Sequence, residues 1–386
     1  MSTDERIVAL MNGESLALEV GTIETELAQF WKKGEEKGYT RACTATLLVY
    51  APDEGAYERA AQVFAALVRH RPCRIVALMA APEANENTLA AYLTAHIHDA
   101  EGNKSGCEQI TLMARGNAVE HLAETALPFL IEKLPVTLWW QGDLPEENVL
   151  FEKLLNVSQR LIFDSGDGHD VGNTLSQARA LSLYWKNGVG GDLTWQRLAP
   201  WRELVTKFME SAPAAALRHQ VTEATLEANA AAEGDAHFAQ PFLLLGWLAG
   251  LLNWKLNEPL TPLPVEPATG NTSVFRTGWQ NKDKEVTGKI ILRKLETDAD
   301  PAPANGSLRA IQILFQPNEK PVVITMQRHL AAGQVTIRIH QGEQTLSEST
   351  ANFSDTPVAE LLAQEMMQDG RNTAYEGALR FATQLI

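Results

Sequence analysis

Few residues of this chain stand in a pattern that could do chemistry. The best candidate for an anion is Arg115-Gly116-Asn117. An arginine at the carboxyl end of a strand, beside free amides at a helix N-terminus, suits a phosphate or carboxylate. The alternative is an ion pair between Arg115 and a neighbouring carboxylate such as Asp164. Trp139 and Trp140 are the next pair. Side chains alternate along a strand, so the two indoles point to opposite faces. Either both are core, or at least one reaches the open edge as a partner anchor, because tryptophan is enriched at binding hot spots. Gln141 and Asp143, in the turn that follows, belong to the same candidate partner surface. Asp164 and Ser165 end the next strand on the same edge. The run Asp164-Ser165-Gly166-Asp167-Gly168-His169-Asp170 is rich in oxygen ligands. It lacks the spacing and terminal glutamate of a calcium loop, and reads as a polar turn.

Other patterns are missing. The nearest match to a dinucleotide fingerprint is Gly188-Val189-Gly190-Gly191, which follows a helix, whereas the motif needs a strand and then a helix. No phosphate-binding P-loop is present. His96 and His98 are two apart on an expected helix, so they face different ways and share no metal. No nucleophile, base and orienting group form a recognisable set. The expectation is therefore no catalytic residue, no metal and no cofactor.

The elements that must position these residues lie between Ala114 and Asp167. After Asn117, apolar residues recur from Val119 to Leu134 at helical spacing. Asn117 with Glu120 resembles a capping box. Pro128 should kink this helix and Pro135 stop it. Val136–Trp140 is apolar apart from Thr137, as in a strand covered on both faces of a parallel sheet. Glu146 and Glu147 suit the first turn of the next helix. Arg160–Phe163 is the next strand, and both strands end on the edge where open α/β sheets place their sites.

The run RGNAVEHLAETALPFLIEKLPVTLWWQGD, followed by RLIFDSGD, resembles the OpcA family of glucose-6-phosphate dehydrogenase assembly proteins. Weaker resemblance continues in Phe242–Trp254 and Val358–Leu379, so it spans most of the chain. It implies a non-catalytic partner of glucose-6-phosphate dehydrogenase, in the oxidative pentose phosphate pathway, that promotes the enzyme's active oligomer and its response to substrate. Some members of the family are thought to sense redox state through late cysteines. The last cysteine here is Cys107, so that control is not expected. The competing reading is an enzyme or sensor that binds a sugar phosphate near Arg115.

Composition agrees with a soluble globular chain. Its 386 residues suggest two domains, with 45% apolar and 21% charged residues. A net charge of −15 repels nucleic acid and anionic lipid, so neither is an expected partner. The longest apolar run, Phe242–Leu252, is too short to span a bilayer. The amino terminus has acidic residues and no long apolar core, so no signal peptide is expected. Cys43, Cys73 and Cys107 are too few for a disulfide framework and point to a cytoplasmic setting. A bridge between Cys43 and Cys73 stays open, with buried small hydrophobes as the alternative.

Along the chain, strands are expected at Arg41–Tyr50, Cys73–Ala80 and Glu108–Ala114, and helices at Ile23–Lys33, Asp53–Arg71 and Leu89–His98. Further helices are expected at Asn173–Trp185 and Trp195–Glu210. This rhythm gives an α/β fold: a doubly wound, Rossmann-like, mostly parallel sheet over residues 1–212. Ser211-Ala212-Pro213 marks a boundary. Residues 213–386 form an α+β domain. It begins with an apolar helix, Ala236–Trp254, and a proline-rich extended connection through Pro259, Pro262, Pro264 and Pro267. Alternating strands follow at Thr287–Lys294, Leu308–Gln316, Val322–Gln327 and Gln334–His340, an antiparallel sheet with one wet face. A turn region, Asp298–Ser307, lies among them. Helices Val358–Gln368 and Thr373–Gln384 close the chain and should cover the sheet's other face.

Overall fold

The computed structural model describes residues 3–100, 103–210, 217–230, 238–264, 272–281, 284–294, 306–317 and 320–386. Ser211-Ala212-Pro213, Pro267 and most of the Asp298–Ser307 turn region lie outside these residues. The chain divides into two compact units. One holds Met1–Asp167, Tyr184–Leu193 and Pro357–Arg371; the other holds Gly168–Leu183, Thr194–Thr356 and Asn372–Ile386.

The first unit is built on a nine-stranded sheet. Its strands are β1 (Leu16–Leu18), β2 (Tyr39–Arg41), β3 (Thr46–Ala51), β4 (Arg74–Ala81), β5 (Thr88–Ala100), β6 (Asn103–Arg115), β7 (Val136–Trp140), β8 (Arg160–Phe163) and β9 (Val189–Asp192). The order is β1-β5-β6-β4-β3-β7-β8-β9, with β2 beside β6. From β6 to β9 every neighbour is parallel. The chain winds outward from β3 to β6, then returns to β7 on the other side of β3. That reversal is the doubly wound topology read from the sequence, and it opens a crevice between the carboxyl ends of β3 and β7. Helices α1 (Thr3–Met11), α2 (Ile23–Glu36), α3 (Glu54–His70), α4 (Leu122–Ala126) and α5 (Val149–Asn156) accompany the sheet.

Three local readings are corrected. Residues 89–98, expected as a helix, lie in β5, which forms an antiparallel hairpin with β6. Ala91, Leu93 and Ala95 are buried while Tyr92, Thr94 and His96 between them are only half-buried, the period of a strand. Pairing along β6 overrides the alanine-rich local preference. His96 and His98 therefore share a face. His96 shares a hydrogen bond of 2.8 Å with the Gln109 side chain, and burial holds its imidazole pKa below the usual value. The long helix after Asn117 is replaced by a 3-10 turn at Gly116–His121, the short α4, and a second 3-10 turn at Leu127–Phe129. Pro128 has no N–H for the carbonyl of Glu124, so the expected kink becomes a break. Glu146 and Glu147 precede α5, which starts after Asn148; that side chain accepts from the Phe151 amide at 2.9 Å.

The amino end of this sheet holds a buried carboxylate. Glu108 on β6 is fully buried. It accepts from Trp31 Nε1 at 3.0 Å, from Arg74 Nε at 2.7 Å and from the guanidinium of Arg41. Arg74, itself buried, also donates to the Phe129 carbonyl at 2.7 Å. Cys43 lies against the same carboxylate, and all three cysteines are free. Burial pushes the Cys73 thiol up to about 12. A hydrogen bond with Cys43, then burial, pushes Cys107 up further. Neither is a thiolate at neutral pH.

The remaining α-helices among the described residues include α6 (Val171–Tyr184), α7 (Leu193–Arg197), α8 (Ala199–Glu210), α9 (Ala239–Leu251), α10 (Val358–Met367) and α11 (Thr373–Ala382). The expected single helix from Trp195 to Glu210 is thus two. Of the closing pair, α10 packs on α3 and β8 in the first unit, not on the second sheet. Its Glu365 is buried and pairs with Arg160 of β8 at 3.1 Å. A Cβ on Gly191 would stand 2.2 Å from Glu365 Oε2, and one on Gly188 2.1 Å from the Trp185 ring. Two of the three glycines nearest to a nucleotide motif, Gly188 and Gly191, therefore serve close packing.

The second unit carries an eight-stranded sheet. Its strands are β10 (Val221–Ala230), β11 (Lys255–Leu263), β12 (Thr272–Asn281), β13 (Lys284–Lys294), β14 (Leu308–Phe315), β15 (Val322–His329), β16 (Gln334–Gln341) and β17 (Gln344–Asn352). All neighbours are antiparallel except β10 with β13. The proline-rich connection is extended as expected, and pairs as the edge strand β11, where proline is tolerated. Helices α9 and α11 pack together. A Cβ on Gly246 would sit 2.4 Å from the Ala378 carbonyl, so only glycine allows that crossing.

Candidate functional site

The carboxyl edge of the first sheet gathers most of the candidate residues. At the crevice between β3 and β7, the helix N-terminus that would face a ligand is α3. Asp53 caps it: its carboxylate accepts from the Ala56 amide at 2.7 Å. Glu54 stands in the first turn. Burial, and then the Asp53 charge, push the Tyr50 phenol pKa up. The position that would attract an anion is therefore already held by a fixed carboxylate.

Trp139 and Trp140 do not reach the open edge. Trp139 is 6% exposed and sits in the core with Phe64 of α3 and Leu362 of α10. Trp140 is 3% exposed. Its ring stacks on Tyr50 at 3.6 Å, meets Phe151 edge-on at 4.8 Å, and donates from Nε1 to the Asp143 carbonyl at 3.0 Å. The expectation that at least one indole is free at the edge is corrected. A strand covered on both faces leaves large side chains no exit, even at its last residue. Gln141 is buried too, and its amide nitrogen has no hydrogen-bond partner among the described residues. Gly142 turns the chain at φ +82° against Pro52.

Arg115, Gly116 and Asn117 part company. Arg115 is exposed, and its nearest carboxylate is Glu54 at 3.9 Å rather than Asp164. The Asn117 amide donates to Asn87 Oδ1 at 2.9 Å, so the expected free donor is taken. Gly116 and Asn117 instead line a cavity of about 680 Å³ with Pro82, His121, Asn148 and Lys153. Glu124 also lines it and pairs with Lys153. Val149, at the start of α5, lines it while 67% exposed. The cavity is mixed in charge, with an apolar rim.

Gly116 holds the cavity's inner wall at φ +58°. A Cβ there would meet Asn87 Oδ1 at 2.3 Å and the Glu86 carbonyl at 2.9 Å. Gly116→Ala is expected to cost at least about 1–2 kcal/mol from the left-handed backbone alone. An unchanged midpoint in urea would refute this.

Asp164 and Ser165 are structural. Ser165 is fully buried; its amide and hydroxyl donate to Asp192 at 3.1 and 2.7 Å, tying β8 to β9. Asp164 closes the turn by accepting from the Gly166 amide at 3.2 Å. Among the described residues no three His, Cys, Asp or Glu side chains form a metal-ligating group. No described helix is long and apolar enough to cross a membrane.

The sequence alone did not single out His121 and Lys153, and it placed Gln141 on an exposed partner surface where the structure buries it. The first two come from separate segments, the 3-10 turn before α4 and α5, and no single window joins them.

Two family models match this chain. One, described as the glucose-6-phosphate dehydrogenase subunit N-terminal domain, covers residues 65–180; the other, the corresponding C-terminal domain, covers residues 190–379. The chain belongs to the OpcA family. An OpcA-named OxPP cycle protein of Nostoc punctiforme is 27% identical over 80% of this chain and 64% of its own length. That of Synechocystis is 28% identical over 47% of this chain and 38% of its own length. The chain thus spans less than two thirds of either OpcA relative. Among solved structures, the 3-ketoreductase KijD10 from Actinomadura kijaniata aligns at a TM-score of 0.46 and 12% identity, covering 88% of this chain and 95% of that one. Myo-inositol 2-dehydrogenase from Lactobacillus plantarum aligns at 0.45 and 9%, with the same coverages of 88% and 95%.

Proposed function

We propose that this chain is a non-catalytic assembly and activator subunit for glucose-6-phosphate dehydrogenase, acting in the cytoplasmic oxidative pentose phosphate pathway. The observation that carries the proposal is the match of two dehydrogenase-subunit domain models over residues 65–180 and 190–379. The crevice of the first sheet supports it. A dinucleotide's pyrophosphate needs open amides at the helix N-terminus there. This chain places the Asp53 carboxylate on the Ala56 amide, with Glu54 beside it. A second reading, a sugar-phosphate enzyme or sensor, is favoured by the cavity beside Gly116 and Asn117. With both tryptophans buried, the exposed rim at Val149 is the stronger candidate for partner contact on this edge, beside Asp143.

The test mixes the chain with its cognate dehydrogenase and follows mass and activity together. A joint species with altered kinetics is expected. The chain alone should not oxidise glucose 6-phosphate with either nicotinamide cofactor. Turnover in a dehydrogenase-free preparation, or a mixture that leaves mass and kinetics untouched, would overturn the proposal.

A further inference from the structure

In the second unit, Arg202 of α8 lacks what the buried arginines of the first unit have. Arg74 and Arg160 each meet a buried carboxylate. Arg202 meets none among the described residues. Its guanidinium carbon lies 3.4 Å from the centre of the Trp195 indole, and NH1 donates to the Trp195 carbonyl at 2.6 Å. Trp195 is 1% exposed, packs against Tyr375 at 5.6 Å, and its ring N–H has no acceptor among the described residues. Arg202 as a residue is half-buried, not sealed like Trp195.

Stacking uses one face of a guanidinium, and with NH1 on the Trp195 carbonyl the Nε and NH2 side of the fork is left to grip a carboxylate or phosphate in two places. A buried donor without an acceptor is a standing cost that a bound acceptor removes. This chain has 48 acidic residues, yet places none of the described ones against this cation. Burial without a counter-charge also pushes the Arg202 pKa down to about 10. We infer that Arg202, stacked on Trp195, is a binding site for a small oxyanion, a carboxylate or a phosphate monoester. The buried indole favours a small ion over a protein side chain, because a bulky partner has no approach to the ring.

The full chain, labelled with 15N, is titrated with inorganic phosphate and separately with acetate, at ionic strength held constant with chloride. The readout is the Trp195 indole N–H resonance, assigned by its loss in Trp195→Phe. The expected result is a saturable shift with at least one of the two ions, weakened about tenfold or more in Arg202→Gln. Arg202→Lys should be intermediate, since an ammonium lacks the fork. Phosphate without acetate assigns a phosphate monoester; acetate without phosphate assigns a carboxylate. A wild-type resonance that never saturates with either ion overturns the inference, whether or not Arg202→Gln folds. An equal shift in a folded Arg202→Gln also overturns it. So does a resonance that moves only when the dehydrogenase is added, because the missing charge is then a protein's.

Discussion

Replacing Glu108 by alanine is expected to lower stability by about 3–5 kcal/mol, the usual loss when one partner of a buried ion pair is removed. Glu108 is fully buried, and Arg74 is buried beside it with its Nε 2.7 Å away. Removing the carboxylate leaves Arg74 with only the exposed Glu24 carboxylate at 3.6 Å and leaves the Trp31 ring N–H without its acceptor. Arg41 is partly wet and should lose less. The measurement is urea unfolding of the single variants and of Glu108→Met combined with Arg74→Met. The double variant should recover much of the loss, because a packed apolar pair no longer buries a lone charge. A Glu108→Ala loss below about 1 kcal/mol would show that water reaches the cluster.

Trp140→Ala should be comparably severe. The indole fills the space between Tyr50 and Phe151 and closes the turn through Asp143. Truncating a buried aromatic residue costs about 3–5 kcal/mol, by lost burial and by the cavity left behind. Trp140→Phe should cost less, since a ring still stacks on Tyr50. The decisive comparison is a thermal melt beside a binding titration with the dehydrogenase. An early melt with normal binding by the folded fraction is expected. A normal melt with weakened binding would mean that the ring leaves its pocket to meet the partner.

Much of the first sheet was legible because its strands advertise themselves. Val136–Trp140 and Arg160–Phe163 are short apolar runs between breakers, and their observed bounds match those read from the sequence. β5 was not legible. Its stability comes from a partner strand, and its alanines favour a helix when read alone. β10, at the middle of the second sheet, was missed because Val221–Ala230 mixes threonine and glutamate with alanine and offers no clean alternation. The site was less legible than the fold. Trp139 and Trp140 carried a strong composition signal, but burial is set by α3, α5 and α10, which come from other segments of the chain. Glu108 was read only as the first residue of a strand, with nothing in the sequence to mark it as a buried charge. Its partners Trp31, Arg41 and Arg74 are spread over three other elements, and only the register brings them together.

The placement of α10 has a consequence for how the chain is made. A ribosome releases Met1–Asp167 and Tyr184–Leu193 long before Pro357–Arg371, yet all three segments belong to the first unit. Arg160 waits for Glu365, which is synthesised 205 residues later. Until then β8 carries a guanidinium with no carboxylate, and the face of α3 that receives Leu361 and Leu362 is bare. Until Pro357–Arg371 has been made, the first unit lacks one of its three segments. A message truncated before residue 357 yields two damaged units rather than one sound and one missing.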